Sequence, residues 1–219
     1  MTGWRRATAL ARKDVRLEWR GRETTTMMGT LALLLVLLLG FALDSNPSRA
    51  PTILWIALSL AAMVGVARPT QAELEEGALE TLLLYPGSRE DLYWGKWAAL
   101  TLILGALLGV LLPLLGILFN LDLWRQLPAL VGVGLLGIVG LASVGTLFAA
   151  LALQVRGREL LMPLLLLPVA LPIVLGGVRL TEAVLSGGPW AEWLGVMATF
   201  DTLFMLVGPI LFSVVLEEA

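Results

Sequence analysis

The sequence predicts an all-α protein that crosses a membrane several times. Of its 219 residues, 58% are hydrophobic and only 15% are charged, and the mean hydropathy is +0.88. Soluble domains usually have about a quarter of their residues charged. Stretches such as 31–43 and 100–119 are too apolar for ordinary core helices. Because a membrane-spanning backbone must satisfy its own hydrogen bonds in lipid, these stretches are expected to form a helical bundle.

Six transmembrane helices are predicted from the apolar stretches. They lie near residues 24–43, 52–68, 96–119, 129–153, 160–178 and 195–216. The connections are short and none resembles a separate soluble domain, so residues 1–219 are expected to form a single transmembrane domain. The first apolar run is long enough to span, and Phe41-Ala42-Leu43 is not a small-residue cleavage site. This favours a retained helix over a signal peptide.

The basic residues predict the orientation. With the N-terminus inside, twelve of the fifteen Lys and Arg residues lie in segments on the cytoplasmic side. Both termini, and the segment between spans two and three, are therefore expected in the cytoplasm. Trp and Tyr side chains near the span ends, such as Tyr93 and Trp124, are expected at the membrane interfaces. For Trp55 and Trp97, packing between helices is an equally good interpretation.

Residues 4–20 are expected to form an amphipathic helix. Six cations share one wedge of about 120°: Arg5, Arg6, Arg12, Lys13, Arg16 and Arg20. Trp4, Ala11, Val15 and Trp19 share another face. The pattern is typical of an interfacial helix that lies on the inner leaflet near anionic lipid. The alternative is a basic tail that only sets the topology.

Several classes of chemistry lose their usual residues. The chain has no Cys and no His, so disulfides are excluded and zinc, copper and iron–sulfur sites lack their common ligands. No metal site and no catalytic residues are expected. The stretch GSREDLYWGKW does not have the spacing of a phosphate-binding loop. Energy for any transport must therefore come from a partner or a gradient. A net charge of −2 gives no reason to expect a nucleic-acid partner.

A gradient-driven carrier usually has ionisable groups inside its spans, and these spans are almost uncharged. Asp201, in MATFDTLFML, is the plausible exception. It is a candidate for the translocation path. The alternative is a carboxylate near the outer interface that a neighbouring helix holds.

Three prolines in the fifth span, Pro163, Pro168 and Pro172, each remove a backbone donor and disfavour a straight helix. They predict either a kinked helix that lines a cavity or acts as a hinge, or a shape that serves packing alone. The run GVGLLGIVGLASVG in the fourth span supplies small residues, which favour close helix packing.

The segment ELEEGALETLLLYP, residues 73–86, separates spans two and three. A helix from about residue 70 to 84 would place Glu73, Glu76 and Glu80 along one side. Leu74, Ala78 and Leu82 would lie on another side, with Leu79 and Leu83 adjoining, and Pro86-Gly87 would end the helix. Such a helix suits docking to a soluble protein that has a basic-rimmed groove. The alternative is a solvated connector.

These residues resemble the signature region of the haem exporter protein B family (CcmB). The pattern Gly-x-Leu-Glu-x-Leu-x-Leu-x-Pro begins at Gly77 and ends at Pro86. The stretches RGRELLMPLLLLPVALPIVLGG and FDTLFMLVGPILFSVVLEE are similar to later parts of the same family. The resemblance extends over most of the chain. Where the family commonly has Glu-Arg and an aromatic residue before the acidic helix, this chain has Ala67-Arg68-Pro69-Thr70.

The resemblance implies a permease subunit of the cytochrome c maturation ABC transporter in a bacterial inner membrane. Such a subunit pairs with a soluble ABC ATPase, with two copies of each. It works beside a haem-handling membrane protein, a small accessory membrane subunit and a periplasmic haem chaperone. ATP hydrolysis by the partner would drive either haem export or release of the haem-loaded chaperone. Haem is then a possible substrate and not a covalently bound cofactor.

In residue terms, 4–20 would be the elbow helix of the exporter. Residues 70–86 would contain the coupling helix, which contacts the ATPase through Glu73, Glu76, Gly77, Leu79, Glu80, Leu82 and Leu83. Two alternatives to haem transport stay open. One is a permease for another hydrophobic substrate such as lipid, and the other is a scaffold that organises membrane partners without transport.

Overall fold

A computed structural model of the chain describes residues 3–75, 88–154 and 158–217, and within these ranges the side chains of 3–4, 19–20, 70–75, 153–154 and 158–165 are not described. The described residues form seven α-helices and a short 3-10 turn at Pro47–Arg49, with no β-strand among them. The helices are α1 (Gly3–Gly21), α2 (Glu23–Ala42), α3 (Ala50–Glu75), α4 (Arg89–Leu118), α5 (Leu127–Gln154), α6 (Arg158–Ser186) and α7 (Ala191–Glu217).

Helices α2 to α7 are each long and apolar enough to cross a membrane, which gives six candidate spans in the described part of the chain. Their outward faces carry exposed Leu, Ile, Val and Phe side chains, for example Leu38, Ile117 and Leu206. A soluble protein rarely exposes so many large apolar groups, whereas a surrounding bilayer buries them. The predicted all-α, polytopic membrane fold is confirmed.

Helix α3 is longer than the sequence predicts. A span that ends near residue 68 and a separate helix from residue 70 were expected, but one helix runs through Pro69 to Glu75. Proline lacks one backbone N–H, so a helix that continues through it loses one hydrogen bond and does not have to end. The rest of the predicted helix, residues 76–84, lies outside the described residues.

Helix α4 begins at Arg89, before the predicted start at residue 96. The Ser88 side chain caps it by accepting from the Asp91 backbone N–H, and Glu90 and Asp91 lie in its first turn. A hydroxyl at the N-cap and acidic residues in the first turn both stabilise a helix start. Polar residues thus extend this helix beyond the apolar stretch that predicts the span.

The corner between α1 and α2 is a single residue. Arg22 has a left-handed backbone with φ of 55° and separates the two helices. The Glu18 carboxylate in α1 accepts a hydrogen bond of 2.5 Å from the Thr25 backbone N–H at the start of α2. This bond satisfies one of the N–H groups that a helix start leaves free. The predicted helix at 4–20 and the first span therefore meet at a tight, capped corner.

Helices α3 and α5 form the centre of the bundle. Helix α5 packs against α3, α4, α6 and α7, and α3 packs against α2, α4, α5 and α6. Helix α2 lies at the periphery against α3 and α4, and α1 lies against α4. Buried side chains from α2 to α7 form one continuous apolar core.

Trp55 in α3 is the largest fully buried side chain among those that the structure describes. Its indole lies against Gly137 of α5 and Gly177 of α6, where any Cβ would collide with the ring. The indole N–H donates to the Thr181 hydroxyl of α6 at 3.0 Å, and that hydroxyl donates to the Gly177 carbonyl at 2.7 Å. Trp55 therefore packs between helices and satisfies its polar atom there.

Four of the five glycines in the predicted fourth span, which is α5, mark close approaches, as the sequence predicts. Side chains of three neighbouring helices lie against them: Leu108 against Gly134, Trp55 against Gly137, Asp201 against Gly140 and Val66 against Gly145. Small residues let helices approach closely in a membrane, where the hydrophobic effect adds little to helix association. The helix-packing interpretation of this run is confirmed.

This packing predicts different outcomes for two glycines of the same helix. Gly137→Ala places a methyl group into the Trp55 ring, and overpacking of this kind costs about 1–3 kcal/mol. Gly132→Ala is the matched control, since no atom lies within 4 Å of its added Cβ. We expect a lower unfolding temperature for Gly137→Ala and an unchanged or higher one for Gly132→Ala. Thermal unfolding in one detergent measures both, and equal temperatures would contradict the packing described.

Candidate functional site

The residues predicted to contact an ATPase fall mostly outside the described part of the chain. Glu76, Gly77, Leu79, Glu80, Leu82 and Leu83 lie outside the described residues, and so does the Glu73 side chain, whose backbone belongs to α3. The described structure does place what flanks them. The segment 76–87 joins the end of α3 to the start of α4, and both helices belong to the packed bundle.

Helix α1 docks directly on the first turns of α4. Ala7 and Ala11 are buried, and Leu10 joins an apolar cluster with Tyr93 and Leu92. A Cβ on Gly95 of α4 would lie 2.8 Å from Leu10 Cβ, which is closer than real Cβ contacts. Glycine at this position therefore lets α1 and α4 come together, and the amphipathic helix is packed against the bundle on one side.

Two ion pairs join α1, α4 and α7 close to where α1 meets the first turns of α4. We call this end of the molecule the α1 end. The Arg6 guanidinium in α1 lies 3.9 Å from the Asp91 carboxylate in α4. The Arg89 guanidinium in α4 lies 3.2 Å from the Glu217 carboxylate in α7. Both pairs are partly exposed and so add little stability by themselves. They contribute mainly to the position of the helices, because they hold the start of α4 between α1 and the end of α7.

A second polar group lies deep in the bundle around Asp201 of α7. This side chain is 4% exposed and lies against Gly140 of α5, where a Cβ would collide with a carboxylate oxygen. Ile173 of α6 lies against the same glycine. Neither carboxylate oxygen has a hydrogen-bond partner among the described residues. Burial of an unpaired polar group is costly, so this arrangement needs an explanation beyond packing.

Asp201 lies near the middle of its span. Ten residues separate it from Ala191, where α7 begins, so it lies about 15 Å along the helix. The hydrocarbon core of a bilayer is about 30 Å thick. The carboxylate is enclosed by protein within the helix bundle, and its position relative to the outer membrane surface stays a prediction.

Tyr93, Trp97 and Ser143 form a hydrogen-bonded group one helical turn from Asp201. The Tyr93 hydroxyl lies 3.3 Å from the Ser143 carbonyl and 3.4 Å from the Phe204 carbonyl. The Trp97 indole N–H donates to the Ser143 hydroxyl at 3.1 Å. Helices α4, α5 and α7 are thus linked by polar contacts. Tyr93 is fully buried, so its expected place at the membrane surface is wrong, while Trp97 packs between helices.

The prolines of the fifth span all lie within α6, which continues as one helix from Arg158 to Ser186. The Pro163 side chain lies outside the described residues. Pro168 is exposed on the outward face and therefore does not line the interior, whereas Pro172 is half-buried. Pro172 directly precedes Ile173, which meets Gly140 beside Asp201. Of the predicted hinge and translocation residues, the fold thus brings Pro172 and Asp201 to neighbouring positions.

Several site residues could not be identified from the sequence. Gly140 belongs to a glycine-rich run, which predicts close helix packing. Nothing in that run indicates that the side chain packed against Gly140 is the Asp201 carboxylate. Tyr93 and Arg89 lie beside charged residues, which suggests a surface rather than a core. Among the described residues no group of three or more Asp, Glu, His or Cys is placed to hold a metal ion.

Comparisons with known proteins identify relatives along nearly the whole chain. The family model "CcmB protein" matches residues 5–218. "Heme exporter protein B" of Bradyrhizobium diazoefficiens is 29% identical over 207 residues, which cover 92% of this chain and 93% of the relative. The protein with the same name from Pseudomonas aeruginosa is 29% identical over 160 residues, 73% of this chain and 71% of the relative. That of Rhodobacter capsulatus is 28% identical over 187 residues, 82% and 84% of the two chains.

The contact between Gly140 and Asp201 predicts a measurable coupling. Gly140→Ala should lower stability by about 1–3 kcal/mol, because the new methyl group meets the carboxylate. In an Asp201→Ala background the same change should cost less, since the carboxylate oxygens are gone. A double-mutant cycle on thermal unfolding in detergent should therefore give a coupling of about 0.5–3 kcal/mol. Simple additivity of the two changes would show that they do not interact.

Proposed function

Because this chain belongs to the CcmB protein family, we propose that it is a membrane-spanning subunit of a haem export system. The observation that carries the proposal is the family match over residues 5–218. Relatives named "Heme exporter protein B" support it over 92% of this chain. The six candidate spans suit a permease subunit and not a soluble enzyme.

The subunit takes its energy from a separate soluble ABC ATPase. The sequence has no phosphate-binding loop of the kind that such ATPases use, so the nucleotide binds to the partner. The segment 76–87 is the proposed contact, with acidic residues Glu76 and Glu80 facing a basic-rimmed groove and Leu79, Leu82 and Leu83 filling it. Glu73 and Gly77 complete this proposed coupling helix.

The helices that flank this segment are suited to carry a movement into the membrane. Helix α3 leads from it to the centre of the bundle, where Trp55 is packed between α5 and α6. Helix α4 leads from it past two ion pairs to α1 and α7. Packed helices move as rigid bodies and not by continuous bending. A displacement of 76–87 by the ATPase would therefore shift α3 and α4 together with the helices that they contact.

The α1 end is proposed to face the cytoplasm of a bacterial cell with an inner membrane. The excess of Lys and Arg at that end supports this orientation. Helix α1 is then an elbow helix at the inner leaflet, with its exposed Arg5, Arg12 and Arg16 near anionic lipid. Exposed Trp124 and Trp190 at the opposite end suit the outer interface.

The subunit is proposed to act in a larger assembly. It contains two copies of this chain and two of the ATPase, beside a haem-handling membrane protein and a small accessory membrane subunit. A periplasmic haem chaperone receives the haem. The name of the relatives supports a haem export system in general, and the individual partners are part of the proposal.

Release of the loaded chaperone is the favoured role for the ATP energy. The chain has no His or Cys to bind haem iron, which leaves Met as a weaker ligand. Of the described methionines, Met28 and Met197 are fully buried in the helix packing, whereas Met27, Met63 and Met205 are half-buried. The proposal assigns haem ligation to a partner that has stronger ligands. This chain transmits force to the periplasmic side.

Purified complexes separate this role from passage of haem through the permease. We expect this chain and its ATPase alone to retain no more haem than a detergent-matched membrane protein control. Addition of the haem-handling partner and chaperone should give ATP-dependent release of loaded chaperone. Specific haem retention by the pair alone would favour direct transport, and specific retention of lipid in its place would favour another hydrophobic substrate.

Charge reversal tests the proposed ATPase contact. Glu76→Lys together with Glu80→Lys should weaken co-purification of the ATPase by roughly tenfold or more, since about 1.4 kcal/mol of lost contact energy is a factor of ten. ATP turnover by the complex should fall with it. Glu192→Lys is the matched control, because Glu192 lies at the other end of the bundle. If the double variant assembles and turns over ATP like the parent, the contact lies elsewhere.

The orientation can be tested by single-cysteine labelling, because the natural chain has no cysteine. Ser48→Cys, in the exposed α2–α3 connection, should react with a membrane-impermeant maleimide in intact spheroplasts. Gly21→Cys, at the exposed end of α1, should react only after the membrane is opened. The reverse pattern would place the termini outside.

A further inference from the structure

The packing around Asp201 leaves a carboxyl group with room but without a partner. The side chain is 4% exposed, and both oxygens lack a hydrogen-bond partner among the described residues. Gly140 provides the room, because any larger residue there would collide with one of these oxygens. The space beside Gly140 thus accommodates the carboxyl group, and no described residue forms a hydrogen bond with it.

The charged groups of the surrounding helices lie away from this position. Helices α4, α5 and α6 pack against α7. Helix α5 contains no Asp, Glu, Lys or Arg. Apart from Asp201 itself, the charged residues of the other helices and of α7 lie towards the helix ends: Arg89, Glu90, Asp91, Lys96, Arg158, Glu159, Arg179, Glu182, Glu192 and Glu217. Of these, Arg179 pairs with Glu182 at 3.1 Å and Arg89 with Glu217 at 3.2 Å. The Tyr93 hydroxyl comes nearer, because it reaches the Phe204 carbonyl one turn from Asp201.

We propose that Asp201 is a proton-binding site inside the membrane. It holds a proton while α5, α6 and α7 are packed as in this structure, and it gives that proton to water when these helices separate. In the packed state the group is a neutral carboxylic acid. On separation the O–H bond breaks, the proton passes to water and the carboxylate keeps the electron pair.

The environment favours a proton over the other cations that could neutralise a carboxylate. An ionised carboxylate without a partner is far more costly to bury than the neutral acid. A metal cation would need several oxygen ligands at once, and no other group of the described residues bonds to this carboxyl group. A basic side chain from a partner helix would have to enter a position that α5 and α6 already enclose. A proton needs no additional space.

The proposed site links protonation to helix movement. Water can hydrate Asp201 only if α5, α6 and α7 move apart, and hydration favours the ionised form. By the same linkage, ionisation favours the separated arrangement over the packed one. Tyr93, which bonds to the Phe204 carbonyl one turn away, joins α4 to the same region. This inference does not depend on the transported substrate or on the ATPase, and the purified full-length chain is sufficient to test it.

Infrared difference spectroscopy of the chain in lipid nanodiscs detects the protonated acid directly. We expect the carbonyl-stretch band of a protonated carboxylic acid at neutral pH, with a slow shift in deuterated water because the group is buried. The band should disappear in Asp201→Asn and persist in Asp122→Asn, a matched change at an exposed connection. Asp201→Glu should keep a band at a shifted frequency if the asparagine variant does not fold. Absence of the band from the natural chain at neutral pH would overturn the proposal.

Spin labels test the link to movement, again in the natural cysteine-free background. Leu171→Cys in α6 and Leu206→Cys in α7 are both exposed positions that suit labelling. As pH rises, the interspin distance should increase over the same range in which the infrared band is lost. In the Asp201→Asn background the distance should not change with pH. Loss of the band at an unchanged distance, or a distance change that persists with asparagine, would overturn the link.

Discussion

The close approach of helices to α5 is the constraint on which the rest of the structure depends. At four positions a side chain from a neighbouring helix lies where α5 has only a glycine hydrogen, and these neighbours are α3, α4 and α7. Lipid is as apolar as the side chains, so burial from water contributes little to helix association in a membrane. Close packing must supply that stabilisation, and it requires the glycines. Helix α5 therefore holds the bundle together although it has no charged residue and few hydrogen-bonding side chains.

The few hydrogen bonds between helices inside the bundle restrict how the packed helices are oriented against one another. The Trp55–Thr181 bond orients α3 against α6, and the bonds of Tyr93 and Trp97 orient α4 against α5 and α7. Interhelical hydrogen bonds in membranes contribute on the order of 0.6–2 kcal/mol each. Their number is small, but they join three different pairs of helices: α3 with α6, α4 with α5, and α4 with α7. Together they restrict how each helix can rotate against its neighbours.

The sequence was sufficient for the fold class because apolar length and composition directly determine what can cross a membrane. It predicted six spans, and the α1 helix to within about two residues at each end, the usual disagreement between assignments. It was less accurate where a helix extends beyond the apolar stretch, as after Pro69 and at Arg89. Hydropathy measures apolar length and does not detect that polar residues can continue or cap a helix. The sequence placed Tyr93 at the surface and did not reveal which residue packs against Asp201, because these contacts depend on Gly208 and Gly140, which are distant in sequence. Contacts between residues so far apart in sequence form only in the folded bundle, so the sequence alone does not reveal them.

The α1 end and the buried carboxyl group are joined by α4 and α7. Asp91 and Arg89 in α4 form ion pairs with α1 and with the end of α7, and Tyr93 in the next part of α4 reaches the Phe204 carbonyl. Phe204 follows Asp201 by less than one helical turn. The Tyr93 hydroxyl lies 3.3 Å from the Ser143 carbonyl and 3.4 Å from the Phe204 carbonyl and has a single proton, so it donates to α5 or to α7 at any moment. A rotation of α4 moves this hydroxyl relative to both carbonyls and so alters the contact with α7 next to Asp201. The proposed contact at residues 76–87 and the proposed proton site at Asp201 are thus joined through α4 and α7.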